Sequence, residues 1–257
     1  MEIITIPCLK DNFAYLLICN KSLEAAVVDP SEAIPIQKIV KQNGLKLTTV
    51  LNTHHHWDHV GGNKELFTEN PDLLIFGHES DRGRIPGQNV FLKNGDVVSF
   101  GEVKGSFIHN PGHTFGAITY IFSKTAFTGD TLFAAGCGRI FEGSPKQMYD
   151  SMNLKIGKLP DDTKIYFGHE YTENNLNFAK SVEPSNSEIL KKLRKIKYLR
   201  SNGTYTTPTT LKEEKRTNPF LRCNSSEICR TVKLKDPNNN LSRIEVFKTL
   251  REMKDIF

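Results

Sequence analysis

A short run of metal-ligand side chains constrains this chain more than any other feature of its sequence. Residues 53–59 read Thr-His-His-His-Trp-Asp-His, so six consecutive positions carry four imidazoles and one carboxylate. Imidazole nitrogens and carboxylate oxygens are the ligands that zinc and related divalent metals prefer. Alternate side chains of an extended backbone point the same way, so His54 and His56 can converge on one ion. The following turn directs Asp58 and His59 toward a neighbouring point. Two pairs of ligands therefore predict two metal ions in preference to one.

The segments before this run predict a strand–helix–strand unit. Apolar residues at 25–28 and 48–51 indicate two buried strands, and residues 34–42 have helical spacing that stops at Asn43-Gly44. The histidine run then follows the carboxyl end of the second strand, where ligands commonly bind in open α/β sheets. Trp57 is expected to pack against the protein and hold the loop.

The rest of the chain predicts more strands than helices. Further strands are predicted at 2–7, 13–19, 73–76, 97–100, 103–108, 118–122, 126–128 and 164–167. Further helices are predicted at 63–67, 146–158, 188–200 and 244–254, and residues 82–89 are predicted to be loop. Because turns link most of the strands, the pattern favours a mixed, largely antiparallel pair of sheets flanked by helices.

Three later positions repeat one arrangement, a ligand-type side chain beside a glycine at a strand end. They are His113 in Pro-Gly-His-Thr, Asp130 in Thr-Gly-Asp-Thr and His169 in Gly-His-Glu. A glycine lets backbone approach closely, and each residue alone is a weak signal. Together with the histidine run, they strengthen the prediction of a metal centre.

Charge and cysteine usage limit the function classes. The net charge of +5 is concentrated after residue 172, where lysine and arginine outnumber aspartate and glutamate. This basic region favours either a well-solvated helical surface or a site for a small anion, because the chain has no RNP, zinc-finger or helix-turn-helix signature. The five cysteines contain no C-x-x-C pair, and no apolar run approaches the length of a membrane span. We therefore expect a cytoplasmic protein with reduced thiols that binds neither nucleic acid nor membrane.

Linked motifs along the whole chain resemble a known family. They are THHHWDH, GDTLFAAGCGR, GHEYT, Asn218-Pro219-Phe220 and a basic C-terminal helix. Together they resemble the hydroxyacylglutathione hydrolases (glyoxalase II) of the metallo-β-lactamase superfamily. The resemblance implies an α+β fold, with a four-layer αβ/βα metallo-β-lactamase sandwich over residues 1–172. A smaller, helical substrate-binding domain over residues 173–257 is expected to follow.

The resemblance also assigns ligands. It implies two divalent ions per chain, zinc first, with iron or manganese also possible. The first ion would be held by His54, His56 and His113, the second by Asp58, His59 and His169, and Asp130 would bridge them. It marks Asp58, His59 and Asp130 as catalytic, and Asp29 as a carboxylate that orients a ligand imidazole. His55, His78 and His109 fall outside this set.

The activity implied is hydrolysis of S-D-lactoylglutathione to D-lactate and glutathione, the second step of methylglyoxal detoxification. Arg251 and Lys254 match the family's positions for the glycine carboxylate, and Tyr171 matches a tyrosine that hydrogen-bonds the peptide backbone of glutathione. The chain departs from the common pattern at Arg139, where lysine is usual, and at Phe141, where tyrosine is usual. Loss of that hydroxyl predicts somewhat weaker binding. We expect a small-molecule substrate and a monomer or weak homodimer.

Other functions remain open at this point. A persulfide dioxygenase of the same fold would use one iron held by two histidines and an aspartate, without Asp58 or His169. A β-lactamase or a nuclease would not need the helix that carries Arg251 and Lys254, and a binding module would have lost catalysis. Cys137, in Gly-Cys-Gly, is the alternative nucleophile, but nothing in the sequence pairs it with a base.

Overall fold

The chain divides into two units that interleave along the sequence. The computed structural model describes every residue from Met1 to Phe257. Unit 1 comprises residues Met1–His109 and Phe115–Gly129, and unit 2 comprises Asn110–Thr114 and Asp130–Phe257. The domain boundary expected after residue 172 stays a prediction.

Unit 1 begins with a six-stranded sheet whose strands lie in chain order. The strands are β1 (Glu2–Cys8), β2 (Asn12–Ile18), β3 (Glu24–Val28), β4 (Lys46–Leu51), β5 (Leu74–His78) and β6 (Val90–Leu92). The first three strands pair antiparallel, and β3 to β6 pair parallel. The helices of this unit are α1 (Ala33–Gln42), α2 (Trp57–Val60) and α3 (Asn63–Glu69). The parallel pairing brings the carboxyl ends of β3 and β4 to one edge of the sheet.

The helices of unit 1 cover an apolar face of this sheet. The core there is built from branched side chains of the strands and of α1, among them Leu16, Val27, Ile36, Val50 and Ile75, all fully buried. Burial on this scale is the main favourable term in folding. A second run of strands in the unit is antiparallel throughout: β7 (Val98–Phe100), β8 (Val103–His109), β9 (Ile118–Phe122) and β10 (Thr125–Gly129).

Unit 2 consists of helices and short strands. The strands are β11 (Leu132–Phe133), β12 (Gly136–Cys137), β13 (Lys164–Phe167) and β14 (Thr209–Thr210), which pair antiparallel as β11 with β12 and β13 with β14. The helices are α4 (Pro145–Tyr149), α5 (Thr172–Val182), α6 (Ser187–Ser201), α7 (Leu211–Thr217), α8 (Ser226–Lys235) and α9 (Arg243–Asp255). A core of Ala135, Leu176, Ala179, Ile189, Leu193 and Ile196 joins α5, α6 and the turn after β11.

The segment predicted as one helix over 146–158 is helical but changes pitch. Ser144 and Gln147 form a capping box at the start of α4, and Pro145 occupies a first-turn position, where its missing N–H is not needed. A π-helical turn (Asp150–Lys155) and a 3₁₀ turn (Ile156–Lys158) then continue the chain.

Most predicted elements are confirmed, with two corrections. The sequence did not predict the short strands β6, β11, β12 and β14, or the helices α2, α5, α7 and α8. Trp57 was expected to pack against the protein, but its side chain is 72% exposed at the start of α2, so this expectation is wrong. All five cysteines are free. No helix of the chain combines the length and the apolar character that crossing a bilayer requires.

Candidate active site

The histidine run of unit 1 lies at the carboxyl edge of the parallel strands. Asp29 follows β3, and Thr53 follows β4, so strand pairing sets them side by side. Asp29 has φ = 48°, the left-handed region that aspartate tolerates better than most residues. At the end of β10, Gly129 has φ = 47°, and a Cβ there would lie 2.2 Å from Thr53 Oγ1. A residue larger than glycine at position 129 would therefore displace the Thr53 side chain.

Asp29 is the acceptor on which this part of the site depends. It is 2% exposed and accepts hydrogen bonds from Thr53 N at 2.7 Å, from Thr53 Oγ1 at 2.6 Å and from His59 Nδ1 at 3.0 Å. Thr53 Oγ1 also lies 3.0 Å from His54 Nδ1. Both carboxylate oxygens are thus engaged, so Asp29 orients other groups and is not itself placed as a metal ligand.

These partners determine which ring nitrogen of each imidazole carries the proton. A carboxylate only accepts, so His59 donates from Nδ1. Because the hydroxyl hydrogen of Thr53 is given to Asp29, Thr53 Oγ1 can only accept from His54 Nδ1. In the neutral form, each ring therefore carries its proton on Nδ1 and presents an unprotonated Nε2, the form in which an imidazole binds a metal.

The remaining nitrogens and oxygens of the run are spaced as metal ligands are. His54 Nε2 and His56 Nδ1 lie 3.1 Å apart, and two nitrogens bound tetrahedrally to one zinc ion would be roughly 3.3 Å apart. His59 Nε2 lies 3.7 Å from Asp58 Oδ2. Asn12 donates to Asp58 Oδ2 at 3.1 Å and to its backbone oxygen at 3.0 Å, which fixes this carboxylate. The donor set of unit 1 therefore fits divalent metal.

Unit 2 brings together the other three predicted ligands. Asp130 Oδ2 lies 3.6 Å from His113 Nε2 and 3.3 Å from His169 Nε2, so one oxygen faces both rings. His113 donates from Nδ1 to the backbone oxygen of Arg139 at 2.7 Å, which again leaves Nε2 unprotonated. A Cβ at Gly138 would lie 2.0 Å from the Asp130 carbonyl oxygen and 2.9 Å from His113 Nδ1. Only glycine at position 138 lets this turn come close enough to His113 for the next residue, Arg139, to accept its hydrogen bond.

Aromatic rings flank these two histidines. The Tyr171 ring stacks on His169, with centroids 4.7 Å apart and planes 5° apart, and Phe133 meets both rings edge-on. The Phe141 ring meets His113 edge-on at 5.3 Å and is 62% exposed. Tyr171 and Phe141 thus lie directly beside the predicted ligands of unit 2.

The basic residues predicted to bind substrate differ in burial. Arg251 is 6% exposed and donates from Nη1 to the backbone oxygen of Cys137 at 2.7 Å and from Nη2 to Asp255 at 3.1 Å. The Arg139 side chain is 62% exposed, and its Nε lies 3.4 Å from the same Asp255 oxygen. Asp255 had no signal in the sequence, because an acidic residue one turn after an arginine is common on helix surfaces.

Lys254 lies between two aromatic rings. Its Nζ is 5.5 Å from the Phe178 centroid and 5.1 Å from that of Phe257. Burial, together with the nearby positive charge of Arg251, lowers the pKa of Lys254 to about 8. The charge of this ammonium group therefore changes in the neutral to mildly alkaline range.

Cys137 is not placed as a nucleophile. Its side chain is buried, and burial raises the pKa of the thiol to about 11. A thiolate is the reactive form, so burial suppresses the reactivity of Cys137 and favours a packing role for its side chain.

The histidines outside the predicted ligand set have other partners. His55 Nδ1 lies 3.0 Å from Asp81 Oδ1, and His55 Nε2 lies 2.6 Å from Arg84 Nη2. His78 and His109 stack on each other, with centroids 3.9 Å apart. Asp81 and Arg84 were missed in the sequence, because they lie in a segment without periodicity.

Two family models match consecutive parts of the chain. The model described as metallo-β-lactamase superfamily matches residues 12–169. The model described as hydroxyacylglutathione hydrolase C-terminus matches residues 170–257. The family resemblance and the fold class stated from the sequence are thereby confirmed.

Curated relatives and solved structures agree with these matches. A hydroxyacylglutathione hydrolase of Rippkaea orientalis is 46% identical over 100% of both chains, and one of Synechococcus is 44% identical over 100% of both chains. The crystal structure of ETHE1 from Myxococcus xanthus superposes with a TM-score of 0.65 at 24% identity, over 100% of this chain and 99% of that one, which shows the fold alone. The full-length relatives do not favour the dioxygenase alternative. Fold and donor sets together support binding of divalent metal.

Proposed function

We propose, because the chain belongs to the hydroxyacylglutathione hydrolase family, that it hydrolyses the thioester of S-(2-hydroxyacyl)glutathione. S-D-lactoylglutathione would be cleaved to D-lactate and glutathione, the second step of methylglyoxal detoxification. Relatives with this name cover the whole chain, and both family models match it. The observation that carries the catalytic part is the shared orientation of His54, His59 and His113, whose Nδ1 atoms face oxygen acceptors.

We assign two divalent ions to the seven predicted ligands. His54, His56 and His113 would hold one ion, Asp58, His59 and His169 the other, and Asp130 would lie between them. The close pairs within unit 1, and the single Asp130 oxygen facing His113 and His169, support this division. Zinc is the first candidate, and the same ligands accept iron and manganese.

The chemistry divides between the ions and the protein. Two bound divalent ions would supply Lewis acidity and a water of lowered pKa. The protein's part is to orient the imidazoles, so that Nδ1 faces Asp29, Thr53 or the Arg139 carbonyl and Nε2 is directed toward the metal. No side chain has to protonate the leaving group, because a thiol has a pKa near 8.5. Cys137 takes no part in bond breaking.

Substrate recognition is assigned to unit 2. Arg251, Lys254 and Arg139 would bind the glycine carboxylate of glutathione, and Tyr171 would donate a hydrogen bond to its peptide backbone. Arg251 lies on α9 one turn before Lys254 and Asp255, so the helix presents these groups together. Phe141 offers only its ring.

Thioester absorbance and metal content, measured on one preparation, test the proposal. The purified chain is expected to bind two metal ions and to consume S-D-lactoylglutathione. His169→Ala should lower the metal content from two equivalents toward one, whereas the control His109→Asn should retain both. A chain that binds two ions and leaves the thioester intact at micromolar concentration would refute the activity. The cytoplasmic location and the monomeric or weakly dimeric state stay predictions.

A further inference from the structure

One carboxylate of the chain contacts both arginines assigned to the substrate. Asp255 Oδ1 lies 3.1 Å from Arg251 Nη2 and 3.4 Å from Arg139 Nε. These are the cations that, under the proposed function, bind the glycine carboxylate of glutathione. An aspartate side chain and a glycine carboxylate are the same functional group. Asp255 and the substrate therefore offer the same chemistry to the same guanidinium groups.

The contact with Arg251 uses only part of what its guanidinium offers. Nη1 donates to the Cys137 carbonyl and Nη2 to Asp255, while the buried Nε has no hydrogen-bond acceptor. Nε and Nη2 form one edge of the planar guanidinium, which matches a carboxylate that binds through both oxygens. A buried donor without an acceptor is unfavourable. A carboxylate bound through both oxygens would accept hydrogen bonds from both Nε and Nη2, whereas Asp255 accepts only from Nη2.

A competing carboxylate can displace Asp255 from the arginines at low cost. Asp255 is the last residue of α9, where helices fray. Its side chain is 41% exposed, and that of Arg139 is 62% exposed. The Arg139–Asp255 pair is therefore weak, because water and salt screen it and two side chains must be ordered. The Arg251–Asp255 pair is open to water on the Asp255 side.

We propose that Asp255 is an internal competitor for the substrate's glycine carboxylate, occupying Arg139 and Arg251 in the free protein and yielding when substrate binds. The proposal rests on the proposed function for the identity of the ligand. Its consequence is a smaller advantage for ligands that have this carboxylate over ligands that lack it, because only the former must displace Asp255 from the two arginines. Every substrate that has the carboxylate binds more weakly than it would without Asp255, because part of its binding free energy is used to separate Asp255 from the two arginines.

Calorimetric titration with a thioether that the protein cannot hydrolyse tests this directly. The probes are S-methylglutathione and its analogue in which the glycine carboxylate is an amide. Asp255→Asn should bind S-methylglutathione about two- to fivefold more tightly than the wild-type chain, the range expected for removal of an exposed ion pair. Affinity for the amide should not change.

Glu252→Gln is the matched control. It removes the acidic partner of Lys248, at 4.0 Å on the same helix, and changes the net charge equally. Its affinity for both probes should equal that of the wild type. The proposal is overturned if Asp255→Asn binds the acid no better than the wild type, if the amide gains equally, or if Glu252→Gln gives the same increase. Failure of the proposed function would show separately, as a wild-type chain that binds the thioether but leaves S-D-lactoylglutathione intact.

Discussion

Replacing Asp29 by asparagine measures how much one carboxylate contributes to metal binding. Asparagine has nearly the same shape and tolerates the left-handed backbone at this position, φ = 48°. Its amide has one accepting oxygen, whereas Asp29 accepts hydrogen bonds from Thr53 N, Thr53 Oγ1 and His59 Nδ1. If the asparagine oxygen accepts from Thr53 N, its NH₂ group faces His59. His59 must then accept at Nδ1 and carry its proton on Nε2, the nitrogen needed for metal.

The size of the effect follows from two independent estimates. A hydrogen bond to a charged group contributes about 1.5–3 kcal/mol. Loss of a residue that orients a metal-binding histidine costs about 10–100-fold in metal affinity, which is about 1.4–2.8 kcal/mol. The two ranges coincide. We therefore expect Asp29→Asn to weaken metal binding by about 10–100-fold.

Competition with a coloured chelator measures this affinity without using the activity. Asp96→Asn is the matched control, because Asp96 accepts a backbone N–H from Lys93 at 2.8 Å in an exposed turn of unit 1. It should bind metal as the wild type does. If Asp29→Asn keeps both metal equivalents at wild-type affinity, Asp29 does not set the protonation of His59 and the reasoning is wrong.

Three further outcomes follow from contacts in unit 2. Burial lowers the pKa of Lys254 from 10.5 to about 8, so its positive charge is lost as the pH rises through about 8, and KM for the glutathione thioester should rise over the same range. Lys254→Met should have a high KM that does not change across this range. Initial rates, corrected for alkaline hydrolysis of the thioester, measure both. Lys192 and Glu214 form a buried ion pair. Lys192→Met alone should lower the free energy of unfolding in urea by about 3–5 kcal/mol, because it leaves the Glu214 carboxylate buried without its partner, and adding Glu214→Gln should recover part of this loss. Equal losses in the single and the double variant would contradict this explanation. Phe141→Tyr should lower KM by about two- to tenfold through one restored hydrogen bond, with kcat unchanged, and an unaltered KM would show that no substrate atom reaches this position.

The sequence predicted the parts of the site that depend on local spacing. The ligand pairs in residues 54–59 are visible because alternation and a following turn decide where neighbouring side chains point. Asp130 was predicted as a ligand because a glycine at the end of a strand marks a position where the backbone can come close to a bound group. Most strands were found as well, because apolar runs bounded by turn residues are a short-range signal.

What the sequence could not predict depends on contacts between distant residues. Lys192 lies on a helix face whose composition predicts exposure to solvent. Its burial is explained by its contacts with Glu214, Thr209 and Thr217 in the folded chain. The three-residue strand β6 is too short to show alternation, and Trp57 was expected to pack against the protein because an exposed indole is uncommon. Asp255 reads as an ordinary helix charge until Arg139 is seen beside it.

The hydrogen bonds around Asp29 link the two proposed ion positions. Through Thr53 they reach His54, and directly they reach His59, which we assign to different ions. Binding of either ion fixes Asp29, on which the histidine of the other ion depends. The two ions should therefore bind cooperatively, each raising the affinity for the other by the same factor. Under metal limitation, the population would then divide between empty and fully loaded molecules, with few carrying a single ion.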